Sequence, residues 1–266
     1  MNDRIVFLGT RGSIPVSGPG FIKYGGATTC VLATLAGQDI LLDAGSGLMA
    51  LPREQMVAPA LPILLSHLHI DHILGVSMSP FFMREGKRVD LYGAARDGAD
   101  LHTAFSRLLS RPLWPVGPDD MAADVVFHPL SDDLTIGPVR VEYMEGAHPG
   151  GVTLYKLIGG GKTVVFATDC TLTEDQLPKV PEFARDCDLL LCDGQFSDAE
   201  WAQRARFGHN TWTAVARLAA ACGAKQARAI HHDITHTDDI LDAAEAEVRA
   251  ICPVCGIAVQ GEEILL

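Results

Sequence analysis

Three histidines and an aspartate lie within residues 66–72, and their spacing could support metal chemistry. In an extended segment His67 and His69 project to the same side, so they can offer two imidazoles to one cation. Asp71 and His72 follow where the chain turns, and they can face a second cation beside the first. Three imidazoles and a carboxylate suit zinc, with iron or manganese as alternatives. The spacing therefore predicts a metal site.

The apolar runs around this segment predict the elements that position it. Residues 61–65 form an apolar run typical of a buried strand, so the histidines would begin at its end. Further strands are predicted at residues 4–8, 30–35, 39–42, 89–93, 124–127, 139–144, 152–158, 163–167 and 189–192, and helical stretches at 73–83, 96–110, 211–222 and 238–251, with a short hairpin around Gly261. Alternating strands and helices with glycine turns predict an α/β fold.

Further histidines and carboxylates follow predicted strands later in the chain. These residues are His148, Asp169, Asp193, His209, His231, His232 and His236. Together with residues 66–72 they account for eight of the ten histidines, which chance would scatter. His102 and His128 stand alone, and an isolated histidine is more often structural than a ligand.

Length and charge restrict the kind of molecule that this chain can bind. The 266 residues are 48% hydrophobic and show no repeat or linker, so a single domain over residues 1–266 is predicted. The formal charge is −12 and the basic residues are scattered, which favours a small anionic substrate over a long nucleic acid. Arg11, Ser13 and Lys23 are candidates for holding an anion, although the glycines around them could serve only tight turns.

Cysteine usage and the apolar runs predict a cytoplasmic location. Seven cysteines form no disulfide framework, and the N-terminal residues run straight into a strand without a signal-peptide pattern. The apolar runs fall short of the roughly 20 residues that a membrane span needs, so no membrane association is expected. Cys252 and Cys255 form one CxxC pair, which is weak support for zinc or redox chemistry.

The HxHxDH pattern of residues 67–72 resembles that of the metallo-β-lactamase superfamily. This resemblance implies a four-layer αβ/βα sandwich with one or two metals at its edge. It places His148 as the third histidine of a first metal, with His67 and His69. The same resemblance implies a second metal held by Asp71, His72, Asp169 and His231, with Asp169 bridging the two metals.

The last third of the chain resembles the RNase Z-like phosphodiesterase branch of this superfamily. The residues that carry the resemblance are Asp193-Gly194-Gln195-Phe196, the turn Gly208-His209-Asn210-Thr211 and His231. The resemblance implies that His209, oriented by Asp193, acts near the leaving oxygen, and that Asp43 orients a ligand histidine. Whether His231 or His232 is the last ligand stays open here, as do the roles of Cys170 and His236.

This resemblance implies a dinuclear phosphodiesterase with two divalent metals, most simply zinc, with manganese or iron as alternatives. A metal-bridging hydroxide would attack a small phosphodiester, such as a cyclic nucleotide or related cyclic phosphate, with Asp71, Asp193 and His209 as the catalytic set. Only twenty residues separate His148 from Asp169, which leaves no room for the arm of tRNA 3′-end nucleases. A thioesterase or lactonase is the alternative, followed by a metal-binding protein without turnover. A homodimer is possible.

Overall fold

Two seven-stranded sheets form the centre of the computed structural model, which describes residues 2–266. The strands are β1 Arg4–Gly9, β2 Cys30–Leu35, β3 Gln38–Leu42, β4 Ala60–Leu64, β5 Arg88–Gly93, β6 Asp124–Pro129, β7 Thr135–Ile136, β8 Val139–Gly146, β9 Val152–Gly159, β10 Lys162–Ala167, β11 Leu189–Asp193, β12 Ala227–Ile230, β13 Cys255–Ile257 and β14 Glu263–Leu265. The helices are α1 Arg53–Val57, α2 Ile70–Ile73, α3 Leu101–Leu108, α4 Lys179–Phe183, α5 Asp198–Arg204, α6 Trp212–Cys222 and α7 Asp238–Ile251. The first sheet has the order β14-β1-β2-β3-β4-β5-β6 and the second β13-β12-β11-β10-β9-β8-β7.

Three apolar clusters hold four layers together. Phe7 and Val31 of the first sheet pack with Tyr155 and Phe166 of the second in a core between the sheets. A second cluster joins the outer face of the second sheet to α4, α6 and α7, and a third joins the outer face of the first sheet to α3 and the short helices around it. This αβ/βα sandwich confirms the predicted fold class.

The parallel strands determine where the polar side chains meet. Strands β3 to β6 run parallel in the first sheet, and β10 to β13 run parallel in the second. In parallel sheets the carboxyl ends of neighbouring strands share one edge, and residues just beyond those ends converge there. Asp43 follows β3, Asp169 follows β10, Asp193 ends β11 and His231 follows β12. The candidate site therefore lies at the carboxyl edges of both sheets.

Two predicted elements are wrong because contacts distant in sequence determine the backbone. Residues 73–83 do not form one helix: α2 passes into a 3-10 turn at Leu74–Ser77, where the Gly75 amide donates to the Ala44 carbonyl at 2.9 Å. Pro80 would also interrupt a continuous helix. No hairpin forms around Gly261 either, because β13 pairs with β12 and β14 pairs with β1 of the other sheet. That crossing buries Ala258 and Ile264 between the sheets.

The predicted helix over residues 96–110 is shorter than expected. It begins only after Asp100, whose carboxylate accepts a hydrogen bond from the Thr103 amide at 2.8 Å and caps the first turn. None of the helices within residues 2–266 is long and apolar enough to cross a bilayer.

Candidate metal centre

The first group of possible metal ligands comprises three histidines and one aspartate from three different turns. His67 and His69 lie in the turn after β4, His148 lies between β8 and β9, and Asp169 follows β10. One ligand atom from each of the four lies within 4.8 Å of the others. His148 Nε2 is 3.2 Å from His69 Nδ1, and Asp169 Oδ2 is 3.7 Å from His67 Nε2. The structure therefore brings together the four residues predicted for a first metal.

A second group of possible ligands surrounds the other oxygen of Asp169. Its Oδ1 lies 3.3 Å from His72 Nε2 and 3.2 Å from His231 Nε2. Asp71 Oδ2 is 3.1 Å from the same nitrogen of His231 and 3.3 Å from that of His72. Each carboxylate oxygen of Asp169 thus faces a different group, an arrangement that would let this carboxylate bridge two cations. All seven predicted ligands lie in this one cluster.

The structure places His231, and not its neighbour His232, in the cluster. His232 is buried on the other side of the backbone, where its Nε2 donates to the Ala258 carbonyl at 2.8 Å. His236 is also outside the cluster, because its Nε2 pairs with the Glu200 carboxylate at 3.0 Å. Of the two histidines that the sequence left as alternatives, His231 is therefore the one that lies among the candidate ligands.

Hydrogen bonds fix which ring nitrogens point into the cluster. Nδ1 of His72 donates to Asp43 Oδ2 at 2.7 Å, and the Asp43 carboxylate also accepts from the amide and hydroxyl of Ser66 at 2.7 and 2.8 Å. Nδ1 of His148 donates to the Gly208 carbonyl at 3.0 Å. In the neutral imidazoles, the Nε2 atoms of both rings are therefore left as lone-pair donors that face inward. Asp43 orients a candidate ligand, as predicted.

These inward nitrogens fit divalent cations. His72 Nε2 lies 3.3 Å from His231 Nε2, and His69 Nδ1 lies 3.2 Å from His148 Nε2, so ring nitrogens face each other at short range. His67 Nε2 is buried and has no hydrogen-bond partner among the described residues. Burial holds the pKa of His67 well below its ordinary value, which favours the neutral imidazole that binds metals. A divalent cation in each group would be bound by these nitrogens and would remove the cost of burying them without a partner.

Three residues of the centre have a left-handed backbone conformation. The φ angles are 58° at Asp43, 49° at Asp169 and 66° at His231. Asp43 and His231 immediately follow a strand, and Asp169 lies two residues after the end of β10. A non-glycine residue in this region costs on the order of 1–3 kcal/mol and is typical of functional sites. Each strand end is therefore bent at the residue whose side chain enters or supports the cluster.

The loop over residues 10–13 closes the second ligand group from the N-terminal side. The Ser13 amide donates to Asp71 Oδ2 at 2.7 Å, and Gly12 packs against the His231 ring. Arg11 is fully buried, and its guanidinium donates to the carbonyls of Gly25, Asp233 and His236 at 2.7 to 3.1 Å. The prediction that Arg11 holds an anion is therefore wrong. Lys23 is likewise paired, with Asp242.

A charged pair lies beside the ligand cluster. His209 Nδ1 donates to Asp193 Oδ2 at 2.7 Å, and its ring stacks on that of His231 with centroids 4.9 Å apart. Burial acts to lower the pKa of His209, but the charge and hydrogen bond of Asp193 outweigh it and raise the pKa to about 9. With Nδ1 held by Asp193, Nε2 is the nitrogen that can meet a substrate. The pair predicted from the sequence is thus formed.

Sequence reasoning missed α5, which supports this pair from outside. Trp201 on α5 donates from Nε1 to the His209 carbonyl at 3.0 Å. The signal was present, because Ser197 and Glu200 form a capping box that marks the start of a helix. Ser66, which holds Asp43, was missed as well, and a lone serine offers no comparable signal.

Two packed sheets with a histidine and aspartate cluster at one edge define a metallo-β-lactamase fold. A beta-lactamase superfamily domain matches residues 38–232, and the chain belongs to this family. The prediction of a hydrolase of this superfamily is thereby confirmed. The superfamily uses divalent metals, for which this chain carries candidate ligand groups.

The chain is similar to several individual proteins in sequence or in structure. The chain is 26% identical to a ribonuclease Z from Methanosarcina mazei over 89% of this chain and 90% of that protein. The structure of YhfI from Bacillus subtilis has a TM-score of 0.72 at 20% identity and covers 99% of both chains. A diphosphatase from the PhnP family has a TM-score of 0.71 at 16% identity and covers 99% of this chain and 98% of that one. The two structures demonstrate a shared fold.

Proposed function

We propose that this chain is a phosphodiesterase that hydrolyses small phosphodiesters, such as a cyclic nucleotide or related cyclic phosphate. It would use two divalent metals, of which zinc is the first candidate. The observation that carries the proposal is the buried Asp193–His209 pair beside the ligand cluster. Phosphodiester hydrolysis expels an alkoxide, which needs a proton at the moment when its bond breaks. The names ribonuclease Z and diphosphatase among the relatives also support phosphate chemistry.

Seven side chains would hold the cations, and Asp169 would be shared between the two ligand groups. Bound there, the cations would supply Lewis acidity that activates water and neutralises charge growing on the phosphate. Asp43 keeps the His72 ring in its tautomer, and the Ser13 amide keeps Asp71 in place. The protein thus supplies a rigid set of donors, so that little reorganisation is needed when substrate binds.

His209 would supply the proton to the leaving oxygen from Nε2. Asp193 is fully buried, so its negative charge is poorly screened and stabilises the protonated imidazole. The pKa of about 9 keeps His209 protonated near neutral pH, as a general acid requires. Its carbonyl is fixed by Trp201 and its ring by stacking on His231, which limits its motion.

The segment between His148 and Asp169 supports a small substrate. Strands β9 and β10 fill this segment and pair directly across a turn at Gly160 and Gly161, so no arm projects from it. The charge of −12 opposes binding of a long polyanion. A small phosphodiester therefore fits better than a transfer RNA precursor.

The test is hydrolysis of bis(p-nitrophenyl) phosphate by the metal-replete protein, beside a thioester and a lactone, with chelated protein as the control. Metal-dependent release of nitrophenol, with both carboxyl substrates intact, is the expected result. Cleavage of only the thioester or the lactone would overturn the proposal in favour of a carboxyl-centred hydrolase.

A His209→Ala variant tests the leaving-group role separately. Nitrophenolate leaves without protonation, whereas the ribose oxygen of a cyclic nucleotide does not. The variant should keep its metal content. Its turnover of the cyclic nucleotide, whose leaving group is an alkoxide, should fall roughly 10²–10⁴-fold, and its turnover of the nitrophenyl ester should fall less. His102→Ala is the matched control, because His102 pairs with Asp119 at the surface. Equal losses on both substrates would remove His209 from proton transfer.

A further inference from the structure

A pocket adjoins the first ligand group. Its volume is about 270 Å³, and its lining includes His67, His69, Gly151 and three charged residues of the α3 region. Two candidate ligands, His67 and His69, line it, so the pocket is open to a substrate whose phosphate would lie at the ligand cluster. The other groups that line it could then meet the part of that substrate that does not react.

The three charged residues of the pocket differ in how they are paired. Arg96 forms two hydrogen bonds with Glu145 at 2.7 and 3.1 Å, and another with Thr153 Oγ1 at 2.8 Å. Arg107 on α3 is exposed and forms no hydrogen bond or ion pair through its guanidinium with any residue of 2–266. Asp97 is also exposed in this pocket and has no cationic partner within that part of the chain. Arg107 is thus the positive charge that remains available.

We propose that this pocket binds a second anionic group of the substrate, a phosphate monoester, through Arg107. The inference rests on the proposed phosphodiesterase function and narrows its substrate to a phosphodiester that carries a further phosphate. A guanidinium offers two parallel N–H donors that match phosphate oxygens. Asp97 repels the same phosphate, so the affinity of the pocket for phosphate depends on attraction by Arg107 and repulsion by Asp97.

The experiment is calorimetry of the metal-replete protein with thymidine 3′,5′-bisphosphate and thymidine 3′-monophosphate, which differ by one phosphate. The unaltered protein should bind the bisphosphate about tenfold more tightly, as one charge-assisted contact gives. Arg107→Gln should remove this preference and leave the monophosphate Kd unchanged. Asp97→Asn should increase the preference, because it removes a like charge.

Arg111→Gln is the matched control, because Arg111 is exposed and lies outside the pocket lining. The inference is overturned if the unaltered protein binds both ligands equally, or if Arg107→Gln retains the preference. Hydrolysis of bis(p-nitrophenyl) phosphate is measured on the same samples. Its absence would refute the phosphodiesterase function, whereas a missing preference together with hydrolysis would refute only the second phosphate site.

Discussion

Replacing Gly12 by alanine should displace His231 without unfolding the protein. A Cβ at position 12 would lie 2.3 Å from Cε1 and 2.4 Å from Nδ1 of the His231 ring. Gly12 is not among the residues with a positive φ, so alanine adds no backbone strain there. The loop itself is held by the Gly12 amide on the His232 carbonyl at 3.0 Å and by the buried Arg11. The ring must therefore move.

The size of this movement predicts the loss of metal affinity. Ordinary contact for a Cβ begins at 3.4 Å, so the ring must retreat by about 1 Å. Metal–ligand distances tolerate only about 0.2 Å, so His231 can no longer serve as a ligand at its present place. We expect the affinity for the second cation to fall by about 100-fold, or about 2.7 kcal/mol. The first ligand group does not include His231 and should keep its cation.

Metal titration of the variant, followed by mass spectrometry of bound metal, measures this effect. Gly12→Ala should retain one tightly bound equivalent, while the unaltered protein retains two. Gly117→Ala is the matched control, because the nearest atoms to its added Cβ lie at 3.5 Å. Two tightly bound equivalents in Gly12→Ala would refute the reasoning, as would a far-ultraviolet circular dichroism spectrum that shows an unfolded chain.

Three further changes test the groups around the cluster. Asp43→Ala leaves the Ser66 amide and His72 Nδ1 unpaired, so it should lower the free energy of unfolding by about 3 kcal/mol in urea titration and weaken metal binding roughly 10–100-fold. Arg11→Gln removes three buried hydrogen bonds to carbonyls and should lower the free energy of unfolding by about 3 kcal/mol in the same assay. A decrease of less than about 1 kcal/mol would contradict a role of Arg11 in holding these loops together. Chelation should lower Tm, since metal at 100 times its Kd stabilises by about 2.7 kcal/mol, and an unchanged Tm would contradict tight binding.

The ligand cluster could be predicted because its spacing reflects local backbone geometry. His67 and His69 lie two residues apart beyond a buried strand, and Asp169 ends another apolar run, so each position can be identified within a short window. The prediction of one helix over residues 73–83 failed because the Gly75 amide donates to the carbonyl of Ala44, about thirty residues earlier. The C-terminal hairpin failed for the same kind of reason, since its two strands belong to different sheets.

Arg11 shows why the role of a single charged residue could not be predicted. Two of its three carbonyl partners, Asp233 and His236, lie more than 200 residues away in sequence. The same guanidinium in an exposed loop would bind an anion, and only the fold buries it. The charged residues of the pocket near α3 were missed for a similar reason, because Arg107 becomes notable only when the neighbouring Arg96 is known to be paired with Glu145.

The choice between His231 and His232 depends on a backbone angle that no sequence pattern specifies. In a continued strand both residues would alternate across the sheet, and either could face the cluster. The φ of 66° at His231 turns the chain as β12 ends, so that His231 enters the centre while His232 reaches the Ala258 carbonyl. This conformation costs free energy, and the hydrogen bonds of His232 and of Arg11 to the following loop offset it. The buried groups on the far side of His231 therefore determine which histidine faces the candidate metal centre.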